Sequence, residues 1–217
     1  MKNRFLTILT LALVVTFASC KDKAQEAETT EAAEAAEVTE VSTKYLVDTD
    51  ASTIMWKGFK PTGSHTGTIQ LESGVFTMNG DAIESGSFLV DMTSLYVTDI
   101  PEEEEGHGKL TGHLKSPDFF DVETFPASAF EVTGFTSENG KMMLSGNLKM
   151  KDVENNISIP VTITENNDSV TITSETFTVD RSKWNIKYGS KSFFDDLGDK
   201  FINDDMELQI TITANKA

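Results

Sequence analysis

From residue 52 onward, apolar side chains recur at every second position in one short run after another. "STIMWKGF" (52–59) opens the series, "GSFLVDMTSL" (86–95) puts Phe88, Val90 and Met92 on one face, and "SAFEVTGF" (128–135) presents Phe130 and Val132. "KMMLSGNLKM" (141–150) presents Met142, Leu144, Leu148 and Met150, and "ISIPVTITE" (157–165) and "MELQITIT" (206–213) alternate in the same way. A period of two marks β-strands, because successive side chains leave opposite faces of a pleated chain. "GTIQLESGVFTMNG" (67–80) reads as two short strands around Glu72 to Gly74. In "SVTITSETFTVD" (169–180) the parity moves from Val170 and Ile172 to Phe177 and Val179, which a one-residue bulge near Ser174 or Glu175 explains. Pro160 has no N–H to donate, so its strand is expected to lie at a seam or a bulge. About eight strands without a long helix give a sandwich or a closed antiparallel barrel. A barrel of that size is either filled by its own side chains or holds one ligand, and the pattern leaves both open.

The helical candidate is "GHGKLTGHLK" (106–115), where Leu110 and Leu114 are four apart and share a face. Ser116 and Pro117 suit the start of a tight turn over 118–121. Phe119 and Phe120, being adjacent, point in different directions, so one is expected to face the barrel and the other to pack elsewhere. The segment reads as a lid over one barrel end. The glutamates at 102–105 before it repel one another and favour an exposed loop.

The first residues tell where the chain goes. Lys2 and Arg4 precede an apolar run from Phe5 to Phe17 that is too short to span a bilayer and suits an export signal. "FASC" resembles the lipobox of bacterial lipoproteins, with Phe17 in place of the usual leucine. Residues 1–19 are therefore expected to be removed, and Cys20, the only cysteine, to be acylated; more than one acyl chain gives stable anchoring. Residues 20–44 then form an acidic tether with glutamates at 28, 31, 34, 37 and 40 and little apolar surface, expected to be solvated and dispensable for folding. The folded domain occupies 45–217. These readings place the protein in a bacterial cell envelope, on the outer membrane, facing the periplasm or the surface.

With 35 acidic against 18 basic residues the net charge is -17, which repels nucleic acid and excludes it as a partner. His65, His107 and His113 are the only histidines, poorly spaced for a shared metal, so no metal or resident cofactor is expected. No nucleophile has a base at a recognisable spacing, and no serine sits in a glycine-flanked elbow, so an enzyme is not expected.

"HLKSPDFFDVETFPASAFEV" (113–132), with four phenylalanines, resembles the most distinctive segment of the YceI-like, or polyisoprenoid-binding, family. "SGNLKMKDVENNISIPVTI" and "FTVDRSKWNIKYG" are similar to two later blocks of that family. The first strand, "WKGFKPTGSHTGTI", departs from it. The resemblance implies an all-β fold, an eight-stranded antiparallel lipocalin-like barrel with one short helix and lid, enclosing a long isoprenoid or another linear amphiphile. Candidate lining residues, taken from the alternating faces and the lid, are Phe88, Val90, Phe119, Phe120, Phe130, Val132, Leu144 and Leu148. Lys57, Lys60 and His65 are candidates for a headgroup near the barrel mouth. Expected partners are a long-chain lipid and, through the acyl anchor, a membrane; the oligomeric state is left open. The competing reading is a membrane-tethered envelope-stress or protein-interaction module whose barrel is filled by its own side chains.

Overall fold

A computed structural model describes residues 24–38, 42–138 and 140–217. The leader and Cys20 lie outside the described residues. In chain order the elements are β1 (Gln25–Glu26), β2 (Glu28–Glu31), β3 (Thr43–Lys60), β4 (Gly63–Asn79), β5 (Ala82–Val97), the helix α1 (Glu105–Lys115), β6 (Ala127–Glu138), β7 (Lys141–Met150), β8 (Val153–Asn166), β9 (Ser169–Ser174), β10 (Phe177–Asp180) and β11 (Asp205–Lys216). Hydrogen bonds run through β3, β4, β5, β6, β7, β8, β9 and β11 and return to β3, every pair antiparallel. This is the closed eight-stranded barrel that the alternation and the resemblance predict.

Bulges shape the strands. The pair of short strands expected around Glu72 is one long strand, β4, whose pairing with β5 slips between Leu71 and Ser73. A bulge moves the inward face from Ile69 and Leu71 to Phe76 and Met78 as a turn would, and the sequence pattern cannot separate the two. The parity change after Ser174 is the gap between β9 and β10. There the β8–β9 ladder ends at Val161 opposite Ser174, and Pro160 sits at its end, its carbonyl accepting from the Glu175 N–H at 3.3 Å. The seam expected at Pro160 is present.

Residues 24–38 fill that seam, contrary to the expectation of a solvated tether. β1 pairs in parallel with β10, and β2 pairs antiparallel with β8 from Ser158 to Asn155. Between them Ala27 is buried and donates its N–H to the Thr178 carbonyl at 2.8 Å. Further on, Ala33 exchanges two hydrogen bonds with the buried Asn147 amide at 2.9 and 2.7 Å, and the Ala36 N–H reaches the Val132 carbonyl. A chain poor in apolar side chains docks here through its backbone, satisfying strand edges that β8 and β10 would otherwise leave open. Its glutamates at 26, 28 and 31 remain exposed, as an edge strand with a wet face allows.

The lid is a helix followed by tight turns. α1 ends at Ser116, whose hydroxyl donates to the His113 carbonyl. The Phe119 and Asp121 N–H groups both return to the Ser116 carbonyl, and the Phe120 N–H returns to Leu114. Glu102 to Glu104 are exposed before α1 as expected, while Glu105 opens the helix and pairs with Lys109 at 2.7 Å.

Candidate functional site

The inward faces of the strands enclose two small apolar chambers in series. The lid chamber, about 120 Å³, lies under α1 and is lined by Trp56, Met92, Leu95, Leu114, Phe119, Phe120, Met150 and Met206 among others. The deep chamber, about 100 Å³, is lined by Leu71, Phe88, Phe130, Leu144, Ile157, Ile159, Phe177 and Ile210 among others. Ile54, Val90, Leu148 and Leu208 border both, so four aliphatic side chains form the partition between them. A larger mouth, about 450 Å³, opens beside the lid between Trp56, Lys60, His65, His113, Phe119, Tyr188 and Lys200.

Seven of the eight expected lining residues border these chambers: Phe88, Val90, Phe119, Phe120, Phe130, Leu144 and Leu148. Val132 does not. It is buried at the far end, within 3.2 Å of the position a Cβ on Gly86 would take, beside Phe76, and it borders an outer recess with Ala35, Ala36 and Val38. That end is packed solid by stacked rings, Tyr45 on Phe76 at 5.3 Å and Phe76 on Phe88 at 6.1 Å. Phe119 and Phe120 both border the lid chamber, their rings edge to face at 5.0 Å, so the expected division of labour between them does not hold. The tight turns after α1 bring adjacent side chains to one side, which an extended or helical chain would not.

Phe119 is held by two cation-capable side chains. His113 meets its ring edge on at 5.9 Å, and the Arg181 guanidinium lies over it at 5.2 Å. Arg181 is fully buried, and it donates to the carbonyls of Asn203 (3.1 Å), Ile186 (2.5 Å) and Ile202 (3.1 Å), with Asp204 at 3.4 Å. Burial pulls this guanidinium below its ordinary value, and Asp204 and Asp180 oppose the pull. It fixes the loop behind the mouth through one bond from each of its three nitrogens. Asp204 is the carboxylate beside Arg181, but three carbonyls do most of the holding. Trp184 is likewise committed, its Nε1 donating to the Leu148 carbonyl at 2.9 Å.

Among the described residues, two polar atoms bordering this region have no hydrogen-bond partner in the protein. Trp56 Nε1 and His113 Nε2 are shielded from solvent and make no hydrogen bond, and both residues line the mouth. Such groups are rare in folded proteins, and beside an open mouth either water or the polar end of a ligand can complete them. The Trp56 ring lies against Gly67, where any Cβ would collide with it and with the Tyr96 carbonyl. Of the expected headgroup residues, Lys60 and His65 line the mouth, while Lys57 borders the lid chamber with its ammonium 4.9 Å from the Phe59 ring. The His65 Nδ1 bonds Asp99 at 2.9 Å. Burial raises the Asp99 carboxyl, but the Thr66 N–H and the His65 ring outweigh it and hold the group below the usual carboxylate range. Among the described residues no group of three His, Cys, Asp or Glu is placed to hold a metal. Sequence reading missed Trp56, Leu208 and His113 as site residues. The parity of Ile54, Trp56 and Gly58 carried the signal for the first, and nothing local marked His113.

Residues 45–214 match the YceI-like domain. Among solved structures the chain is similar to BcnA of Burkholderia cenocepacia, at 19% identity and a TM-score of 0.59, over 78% of this chain and 99% of that one. It is also similar to a domain from Saccharophagus degradans described as polyisoprenoid-binding, at 12% identity and a TM-score of 0.57, over 80% of this chain and 98% of that one. At these identities the likeness is one of fold. No curated protein matches the chain.

Proposed function

The chain belongs to the YceI-like family, and from that premise we propose that its barrel takes up the apolar chain of a long amphiphilic lipid, of polyisoprenoid or isoprenoid-quinone kind, and carries or sequesters it in the cell envelope. The observation that supports this most is the pair of hydrocarbon-walled chambers in series beside a mouth whose largely apolar wall also carries Lys60, His65 and Lys200. A linear apolar chain suits such a run, and a compact polar metabolite does not. Each Å² of apolar surface buried contributes roughly 25 cal/mol, so affinity grows with chain length more than with headgroup chemistry. The polar end rests at the mouth, where Trp56 Nε1 and His113 Nε2 want partners and Lys60, His65 and Lys200 line the wall. The description of the Saccharophagus degradans domain as polyisoprenoid-binding points the same way.

The free volume sets a condition. Chambers of about 120 and 100 Å³ admit a long chain only if the partition of Ile54, Val90, Leu148 and Leu208 yields. Aliphatic side chains yield by changing rotamers. In this reading the protein is a binding protein and not an enzyme, and Cys20 carries the acyl anchor that holds it at the outer membrane.

The test is organic extraction and mass spectrometry of the chain from Lys21 onward, purified without detergent, before and after incubation with a membrane lipid extract. The expected result is a long-chain amphiphile in near-stoichiometric amount. Its repeated absence from a folded protein overturns the proposal in favour of the barrel filled by its own side chains.

A further inference from the structure

The loop from 185 to 204 keeps three aromatic side chains out in solvent. Tyr188 is 46% exposed, Phe193 42% and Phe194 49%. A mobile loop would fold such rings away, but this one is pinned. Arg181 grips its two ends through the Ile186, Ile202 and Asn203 carbonyls. The Ile202 N–H bonds the Gly189 carbonyl at 2.8 Å, Ser190 is fully buried, and Ser192 donates to Asp204 at 2.7 Å. Gly189 takes a φ of 63°, which lets the chain turn there without strain.

Of the exposed rings, Tyr188 belongs to the wall of the mouth, while Phe193 and Phe194 stand further along the same loop. Tyr188, Asp199, Lys200 and Ile202, from both arms of the loop, line the mouth. Lysines accompany the aromatics, Lys187 with its ammonium 4.9 Å from the Phe193 ring and Lys191 at 3.5 Å from Phe201. Aromatic rings with lysine stems beside them suit the boundary between headgroups and acyl chains. In charge the loop is nearly balanced, Lys187, Lys191 and Lys200 standing against Asp195, Asp196, Asp199 and Asp204, within a chain of net charge -17. Such a surface fits neutral headgroups and gains nothing from anionic ones.

We propose that this loop is a membrane-docking surface that seats the barrel mouth on a zwitterionic bilayer, with Phe193 and Phe194 entering the headgroup boundary. The inference rests on the reading of the barrel as a lipid carrier, because a lipid passing between bilayer and cavity through open water would expose its whole apolar chain. A mouth seated on the bilayer removes that exposure. It also brings the unpartnered Trp56 Nε1 and His113 Nε2 next to the layer in which lipid headgroups lie.

The experiment uses the chain from Lys21 onward, which keeps every described element and lacks the leader and Cys20. Co-sedimentation with phosphatidylcholine vesicles should capture the wild type, with little loss at high salt and weaker capture when phosphatidylglycerol is added. A Phe193→Ser, Phe194→Ser double variant should keep its melting temperature and bind about tenfold more weakly. Phe194→Trp should bind at least as well, with a blue shift of the added emission on contact with vesicles. No wild-type binding overturns the proposal, as does equal binding by the double variant or a Phe194→Trp spectrum unmoved by vesicles. So does wild-type self-association that the double variant abolishes, which would make the partner a second copy of the chain. Vesicle binding needs no cargo, so docking without any extractable lipid sinks the carrier reading alone, and cargo without docking sinks this one alone.

Discussion

Phe119 and Phe120 are the residues on which a filled core and a ligand cavity make different predictions. Both are nearly inaccessible to solvent, yet both border free space under the lid. A phenylalanine packed on all sides costs about 3–5 kcal/mol when cut to alanine. With part of its ring facing a chamber, Phe119→Ala should cost less, on the order of 2 kcal/mol in a denaturant titration. Lipid retained through purification should fall sharply in the Phe119→Ala, Phe120→Ala double variant. A full core-sized penalty with unchanged lipid content would assign the rings to packing. Asp99 offers a second test at this scale. Its carboxyl is held below its ordinary value of 3.8, so the stability it contributes is fully present above that pH and is lost as pH falls through the lower folded value. Asp99→Asn should therefore lower the denaturation midpoint at pH 7, and the gap to wild type should close as the pH falls below the ordinary carboxylate range. Alternation made five of the residues bordering the chambers legible, Phe88, Val90, Phe130, Leu144 and Leu148, because parity alone decides the face of a strand; Phe119 and Phe120 came from the lid segment. Alternation misled at Val132, which has the right parity but lies beyond the last free space, and a sequence carries no mark of where packing becomes complete.

Among the elements, the N-terminal segment departs most from its sequence reading. Residues 20–44 offer few apolar side chains to bury, and of the described ones, 24–38, only Ala27 is buried. What docks the segment is the main chain, whose donors and acceptors are the same in every sequence and so leave no pattern to read. The seam it fills was half legible, in Pro160 and in the parity break after Ser174. A chain beginning at Lys44 loses the ladder to β8 and β10 and the Asn147 bonds, each contributing about 0.5–1.5 kcal/mol. Its melting temperature should drop by on the order of 5–10 °C. An independent check is cleavage by a glutamate-specific protease. Glu26, Glu28 and Glu31 are paired into the sheet and should resist, whereas a solvated tether would be cut at all three. An unchanged melting temperature together with rapid cleavage at Glu28 would restore the tether.

For the whole molecule, the eight-stranded closure fixes how wide the interior is, and the bulges and lid decide how it is divided. The partition of Ile54, Val90, Leu148 and Leu208 stands between the two chambers, on the path a ligand tail would follow. Leu148 is the most informative of the four, since its carbonyl holds Trp184 through the backbone and any side chain there keeps that bond. Leu148→Ala should join the chambers into one. It should cost about 2–5 kcal/mol in the absence of lipid, and lipid should recover part of that loss by filling the space, since a ligand bound only to the folded state stabilises it. The lipids it retains should shift toward longer or bulkier tails. Leu148→Phe should do the opposite, closing the deep chamber and leaving only short tails bound under the lid. Mass spectrometry of lipids extracted from the three proteins after exposure to one mixture of graded chain lengths reads the outcome directly. Identical chain-length profiles in all three, with the alanine variant merely less stable, would mean that no tail passes the partition. The deep chamber would then be a packing defect, and any lipid bound would lie between lid and mouth.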